Sequence, residues 1–138
     1  MIRFSRREDY AVILITKLAQ NYNKRLVPLA EVASEYKISI LFLRNLANDL
    51  RHAGVIKAVE GKNGGYFLQK DPKKLFMKEV LSAFSKEPLV ECCPTGLAHK
   101  GVCPKTSFCQ PGFIWRKLNK DFLEKISNLS IDQFMKYE

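Results

Sequence analysis

The chain has 138 residues, of which 46% are hydrophobic, and a formal net charge of +9. This length fits one domain with at most a small appended element, and the apolar fraction is that of a globular protein with a buried core. No run of about 18 apolar residues occurs, which argues against a transmembrane helix. The acidic pair Glu8-Asp9 and the missing small-residue cleavage site argue against a signal peptide. We therefore expect a cytoplasmic protein with no membrane partner.

The positive charge is concentrated in the first two thirds of the chain. Residues 1–90 contain 16 Lys and Arg against 9 Asp and Glu, whereas residues 91–138 contain 7 against 5. Lys and Arg supply the sequence-independent part of DNA affinity by neutralising phosphates. A basic first region favours nucleic acid as the partner, although basic composition alone is a weak signal.

The hydrophobic periodicity predicts a mainly α fold with one small β-hairpin. Two short helices, the second capped by Ser39, are typical of a helix-turn-helix, and a glycine-rich hairpin directly after them is typical of a wing. Helix 1 is expected to start at Ser5, where Ser5 and Glu8 match a capping box, and Ser130 with Gln133 match another. The predicted helices are 5–20, about 29–36, about 40–52, 75–84, a long helix after Gly112 and a last short helix from Ser130; the predicted strands are 55–60 and 66–68.

These elements predict three regions. Residues 1–84 form a winged helix-turn-helix domain, 85–111 a cysteine-rich loop, and 112–138 a dimerisation helix with a short terminal helix. The long helix carries one apolar stripe, which must be buried either by the same helix of a second chain or by its own domain. The stripe consists of Trp115, Leu118, Phe122, Ile126 and Leu129.

Outward positions of the second helix of a helix-turn-helix meet base edges in the major groove. Arg pairs with guanine and Asn with adenine, so Arg44 and Asn45 are the best candidate base readers, and apolar side chains can contact a thymine methyl. The other candidates on this helix are Leu41, Phe42 and Asn48. Candidate phosphate contacts are Arg3, Arg6, Arg7, Arg51 and Lys62. For each residue taken singly, a solvated surface role is an equally good interpretation.

All four cysteines lie between Glu91 and Trp115, in a stretch that prolines and glycines interrupt. A permanent disulfide is disfavoured in the cytoplasm. Structural zinc normally uses a Cys-x2–4-Cys pair, which is absent, although His99 keeps a zinc site open. An iron–sulfur cluster held by thiolates suits the wider, uneven spacing better. The cysteines are Cys92, Cys93, Cys103 and Cys109.

Several stretches together resemble the IscR/NsrR family of bacterial winged-helix regulators. They are FSRREDYAVILITKLA, the helix-turn-helix VPLAEVASEYKISILFLRNLANDLRHAGVI, the wing EGKNGGYFL with its trailing DPKKL, and the Cys-x5-Cys before Trp115 and Leu118. The resemblance covers nearly the whole chain. It implies a homodimer with crossing C-terminal helices and one cluster per subunit near the dimer interface.

The resemblance also implies three cysteine ligands, here Cys93, Cys103 and Cys109, with Cys92 as a less favoured first ligand. The cluster-biogenesis branch takes its fourth ligand from a His three residues after the last Cys, but Gly112 occupies that position. The nitric-oxide-sensing branch uses an acidic residue of the second subunit near the start of helix 1, where Asp9 matches best and Glu8 is its neighbour. The nine residues between Cys93 and Cys103 exceed the five common in the family, and Glu60 replaces a basic residue before the wing.

The sequence thus predicts a homodimeric repressor that binds a palindromic site on double-stranded DNA. A 2Fe-2S or 4Fe-4S cluster would sense nitric oxide, oxygen or iron–sulfur status, and an oxygen-exposed sample can lack it. The alternative is a winged-helix regulator with a zinc or thiol/disulfide switch at the same cysteines. No nucleophile elbow, phosphate loop or Rossmann fingerprint occurs, so an enzyme is not expected.

Overall fold

The computed structural model describes residues 6–84 and 108–136. Within these ranges the fold is mainly helical with one antiparallel two-stranded sheet, which confirms the predicted fold class. No helix in the described ranges is long and apolar enough to cross a membrane. The elements are α1 (Arg6–Gln20), α2 (Leu29–Tyr36), α3 (Ile40–His52), β1 (Ile56–Val59), β2 (Gly65–Leu68), α4 (Met77–Leu81), α5 (Gln110–Ser127) and α6 (Ile131–Met135).

The first three helices pack around one hydrophobic core. The inward face predicted for α3 is confirmed, because Leu43, Leu46, Ala47 and Leu50 are all buried. Leucines of this kind contribute roughly 1.5–3 kcal/mol each on burial. The core therefore fixes which side of α3 remains outside, and with it the surface that can meet DNA.

The turn between α2 and α3 sets the angle of the helix-turn-helix. Lys37 ends α2 in the left-handed conformation (φ 54°, ψ 44°), and its N–H donates to the carbonyl of Ala33. Ile38 is buried behind this turn. The predicted cap of α3 is confirmed, since the Ser39 hydroxyl oxygen accepts from the N–H of Phe42 at 3.5 Å.

The hairpin is attached to the helical core through Val27. β1 pairs with β2 in the register Ile56 to Leu68 and Val59 to Gly65. On the edge of β2 that faces away from β1, Tyr66 and Val27 exchange two backbone hydrogen bonds of 3.0 and 2.9 Å. Gly65 permits this close approach, because a Cβ there would lie 2.9 Å from the carbonyl carbon and oxygen of Val27.

The C-terminal helices are tied to the segment that follows the hairpin. The N–H of Ile131 donates to Leu75, and the N–H of Met77 donates to Leu129, each at 2.8 Å. The capping box of Ser130 and Gln133 is confirmed, whereas Ser5 lies outside the described residues. These contacts hold the C-terminal end of α5 against the first domain.

Two predicted boundaries were wrong. The helix expected over 75–84 is limited to Met77–Leu81, because the chain tightens into turns after it. The long helix begins at Gln110 rather than after Gly112, because proline is tolerated in the first turn of a helix, where Pro111 lies.

Candidate nucleic-acid interface and cysteine site

The outward side of α3 is a row of exposed side chains. Leu41 is 65% exposed although it is apolar, and Arg44 and Asn45 are exposed beside it. Asn48 and Arg51 continue the row towards the end of the helix, so α3 brings these five predicted residues onto one surface. In the described part of the chain neither arginine forms an ion pair, which leaves both guanidinium groups available to an external anion.

Phe42 differs from its neighbours because it is half-buried. Its ring packs edge-on against Tyr10 of α1, with centroids 5.5 Å apart and an interplanar angle of 88°. This contact joins α1 to the first turn of α3. The side chain therefore supports the reading helix from behind, a role that the sequence pattern did not indicate. His52 is exposed near the end of α3, with Nδ1 2.8 Å from the carbonyl oxygen of Asn48.

Arg6 and Arg7 point to different environments although they are consecutive. Arg7 forms an ion pair with Asp49 of α3, and its guanidinium carbon lies 5.7 Å from the centre of the Phe84 ring. Arg6 is exposed and forms no ion pair with any other described residue. Arg3, the third arginine predicted here, lies outside the described residues.

The wing presents a basic tip. Lys62 is exposed between β1 and β2, next to Gly61, which has a φ of +116° that only glycine adopts readily. A Cβ at Gly64 would lie 2.1 Å from the carbonyl oxygen of Val59, so this turn also requires glycine. Lys57 is exposed on β1 and was not predicted; its alternation with buried Ile56 was the signal.

Among the described residues, two open cavities border α3. One, of about 420 Å³, lies between α1 and the turn that precedes α3; it is lined by Arg6, Tyr10, Lys37, Ile38, Ser39, Leu41, Phe42 and Asn45. The other, of about 440 Å³, is lined by Arg7, Phe42, Asn45, Leu46, Asn48 and Asp49. Sequence reasoning missed Lys37 and Ser39 as members of this surface, because their neighbours here come from a distant part of the chain.

A separate network of ion pairs joins α1 to α2. Arg25 donates two hydrogen bonds to the carboxylate of Glu31, at 2.8 and 2.6 Å, and these lower the pKa of Glu31. Lys17 donates to Glu35 at 2.6 Å, which raises the pKa of Lys17. On α4, burial raises the pKa of Glu79, but hydrogen bonds from Lys70 and from the Phe76 N–H outweigh it, so the net shift is downward.

Cys109 is the one predicted cysteine ligand among the described residues; Cys92, Cys93, Cys103 and also His99 lie outside them. It immediately precedes α5, and its side chain is half-buried. A Cβ at Gly112 would lie 3.2 Å from the Cys109 sulfur and 3.3 Å from Nη1 of Arg116. The sulfur and the guanidinium therefore flank Gly112, and a larger side chain at that position would displace one of them.

The two acidic candidates at the start of α1 are differently placed. Glu8 is 6% exposed, whereas Asp9 is exposed. Within the described ranges no three His, Cys, Asp or Glu side chains come close enough together to hold a metal ion. Thiolate and carboxylate are nevertheless the donor types that iron accepts, so Cys109 and Asp9 fit the chemistry of the predicted group.

A family model, Rrf2, described as an iron-dependent transcriptional regulator, matches residues 4–137. The chain belongs to the Rrf2 family. It is therefore a DNA-binding transcriptional regulator and not an enzyme, and the predicted relationship to IscR is confirmed. IscR of Xenorhabdus nematophila is 27% identical over 135 residues, which cover 98% of this chain and 80% of the relative. IscR of Escherichia coli (strain K12 / DH10B) is 28% identical over 134 residues, covering 97% and 80%.

Solved structures of Rrf2-family regulators share the fold. CymR of B. subtilis, described as a global cysteine regulator, superimposes with a TM-score of 0.79 at 18% identity and covers 100% of this chain and 99% of that one. The T. potens IscR structure gives a TM-score of 0.76 at 22% identity, covering 98% and 87%. These likenesses confirm the winged-helix architecture.

Proposed function

We propose that this Rrf2-family regulator is a homodimeric, cytoplasmic repressor that senses nitric oxide, oxygen or iron–sulfur status through a cluster. The observation that carries the proposal is the family match, described as iron-dependent, in a chain with all four cysteines in the stretch 92–109. The cluster, 2Fe-2S or 4Fe-4S, would be held by Cys93, Cys103 and Cys109, with Cys92 as the alternative first ligand. When bound it supplies iron that reacts with small oxidants or nitric oxide.

The fourth ligand is proposed to be Asp9 of a second copy of the chain. Gly112 offers no donor atom where the cluster-biogenesis branch has its His. The burial of Glu8 and the exposure of Asp9 favour Asp9, since a side chain that binds a cluster in the other subunit must be exposed on its own subunit. Release of this carboxylate from a damaged cluster would alter the start of α1, which contacts α3 through Tyr10 and Phe42.

The apolar side of α5 supports dimerisation. Ile114, Trp115 and Leu118 are exposed on one side of this helix, and Phe113 is exposed on another. Contiguous exposed apolar surface of this kind marks an interaction site, and a second copy of the same helix buries it symmetrically. Two-fold symmetry then presents two copies of α3 to a palindromic operator.

The proposed DNA interface divides into reading and positioning contacts. Arg44, Asn45, Asn48 and Leu41 are the proposed base readers, because they are exposed on the outward side of α3. Arg6, Arg51 and Lys62 are the proposed phosphate contacts, together with Arg3 at the N-terminus. For Phe42 and Arg7 the contacts with Tyr10 and Asp49 favour a supporting role.

Single cysteine variants test the ligand assignment. Cys103→Ala and Cys109→Ala should each abolish the iron and acid-labile sulfide of protein purified without oxygen. Comparison of Cys92→Ala with Cys93→Ala identifies the first ligand, and only Cys93→Ala should lose them. Asp9→Asn should weaken cluster retention while leaving the helical circular dichroism unchanged. Retention of a full cluster in both Cys103→Ala and Cys109→Ala would show that these cysteines are not cluster ligands.

The second candidate is a zinc or thiol/disulfide switch at the same cysteines. It is favoured by Gly112, which removes one expected cluster ligand, and His99 would then serve as a zinc ligand. Colourless protein with stoichiometric zinc, or with a disulfide that forms reversibly under mild oxidation, would favour this candidate over the cluster.

A further inference from the structure

We infer that the 420 Å³ cavity between α1 and the turn before α3 seats one phosphate of the DNA backbone, bound by Arg6 and Lys37. Nothing in the sequence pattern assigns Lys37 to the interface, because it ends α2 and not the reading helix. The inference rests on the proposed DNA interface, and it adds a defined anion site with its own residues.

The cavity opens beside the reading helix. Leu41 and Asn45, two exposed residues of α3, form part of its wall, and buried Ile38 forms another part. A group held in the cavity is therefore adjacent to the side chains that meet base edges. In duplex DNA such a group is a backbone phosphate at the edge of the occupied major groove.

The charge around the cavity is positive and uncompensated. Arg6 and Lys37 both line it, both are exposed, and neither forms an ion pair within the described part of the chain. The nearest arginine in the chain, Arg7, is by contrast paired with Asp49. Two unpaired cations around one cavity attract an anion, and the lining formed by described residues contains no Asp or Glu to oppose it.

Neutral donors complete the site. The Ser39 oxygen accepts from the Phe42 N–H, which leaves the hydroxyl proton free to donate. The Asn45 amide also borders the cavity and can donate from its NH₂ group. A phosphate has several acceptor oxygens, so the two cations and these two donors match its chemistry.

Lys37→Asn tests the site with little effect on the fold. Lys37 has a φ of +54°, and asparagine is among the few residues that adopt this left-handed conformation readily. The substitution thus removes the charge and keeps the turn. Lys24→Asn is the matched control, because Lys24 is an exposed lysine beyond the far end of α1, roughly 20 Å from Arg6 at a rise of about 1.5 Å per residue.

The measurement is the affinity for a duplex of about 30 base pairs over a range of salt concentrations, a length that spans two half-sites one helical turn apart. One duplex carries an operator selected from a random library and the other an arbitrary sequence. Removing one cation that neutralises a phosphate should lower the slope of log affinity against log salt by about 0.9. If the plots of log affinity against log salt for variant and wild type meet at about 1 M salt, this slope change makes binding about eightfold weaker at about 0.1 M salt.

We expect Lys37→Asn and Arg6→Gln each to weaken binding to both duplexes by the same factor and to reduce the salt slope of the affinity. Lys37→Arg should keep the wild-type slope. Lys24→Asn should match the wild type. Wild-type slope and affinity in Lys37→Asn, with wild-type protein binding DNA normally, would overturn the phosphate site alone. Failure of the wild-type protein to bind either duplex would instead overturn the proposed DNA interface.

Discussion

The guanidinium of Arg7 on α1 forms an ion pair with the carboxylate of Asp49 on α3. The two residues are 42 positions apart in the chain. The same guanidinium lies over the ring of Phe84, the last described residue before the stretch that contains Cys92, Cys93 and Cys103. Arg7 therefore links the reading helix to the point where the cysteine-rich stretch begins.

Because Arg7 is already occupied, we predict that it contributes to stability more than to DNA binding. The two side chains are 52% and 35% exposed, so the pair is worth at most about 1 kcal/mol. Arg7→Gln should lower the free energy of unfolding by at most that amount, with Asp49→Asn and the double variant completing a cycle. When DNA affinity is measured over a range of salt concentrations, Arg7→Gln should reduce the slope of log affinity against log salt less than Arg6→Gln does. An equal reduction of slope in both variants would show that Arg7 leaves Asp49 to bind phosphate.

The carboxylate of Glu31 should make the stability of the fold depend on pH in the acid range. Its hydrogen bonds with Arg25 lower its pKa below the usual 4.5, so the folded state binds a proton less readily than the unfolded chain. The stability from this pair is present above the unfolded pKa of about 4.5 and is lost as pH falls through the lower folded value. In Glu31→Gln the midpoint of unfolding should therefore fall less steeply than in the wild type as the pH is lowered through the acid range. Glu60→Gln, at the exposed position directly after β1, is the control; an unchanged acid limb in Glu31→Gln contradicts the prediction.

Gly65 is predicted to be required for the attachment of the hairpin. An added Cβ would meet the carbonyl group of Val27 at 2.9 Å, and the backbone would have to move. Gly65→Ala should lower the free energy of unfolding in urea by about 1–3 kcal/mol. Gly54→Asn is the comparison, since Gly54 has a left-handed φ of +76° but nothing within 4 Å of a Cβ, and asparagine should change stability by less than about 0.5 kcal/mol. An equal loss of stability in Gly65→Ala and Gly54→Asn would mean that crowding against Val27 does not cause the destabilisation.

The apolar side of α5 is predicted to hold two subunits together. Trp115 and Leu118 are 42% and 48% exposed in the single chain. Burial of one such side chain is worth about 1.5–3 kcal/mol, and about 1.4 kcal/mol is tenfold in affinity. Trp115→Gln combined with Leu118→Gln should therefore weaken the dimer at least about a hundredfold in sedimentation equilibrium. Lys117→Gln combined with Lys120→Gln should leave the dimer affinity unchanged. A wild-type dimer affinity in the Trp115 and Leu118 double variant would show that this side of α5 is not the dimer interface.

Local chemistry explains how much of the fold the sequence could predict. The bounds of α2 and α3 agree with the structure, because Ser39 caps one helix and the apolar positions of α3 repeat at helical spacing. The outward row with Leu41, Arg44 and Asn45 follows from the same spacing. The helix predicted over 75–84 was too long, because apolar residues continue to Phe84 although the α-helix ends at Leu81.

The remaining features depend on contacts between distant parts of the chain. The pairing of Arg7 with Asp49 and the packing of Phe42 on Tyr10 require the crossing of α1 and α3, which periodicity does not encode. The same holds for the cavity that brings Arg6 beside Lys37. The burial of Glu8 next to exposed Asp9 is likewise a result of tertiary packing, although both are acidic residues of one helical turn.

The most direct test of the proposed sensor is the visible absorption spectrum of protein purified without oxygen, with iron and acid-labile sulfide counted on the same sample. We predict brown protein with broad charge-transfer bands and matching amounts of iron and sulfide. Colourless protein that takes up neither iron nor sulfide, even after anaerobic reconstitution, would contradict the cluster and leave a winged-helix regulator whose cysteines have another role.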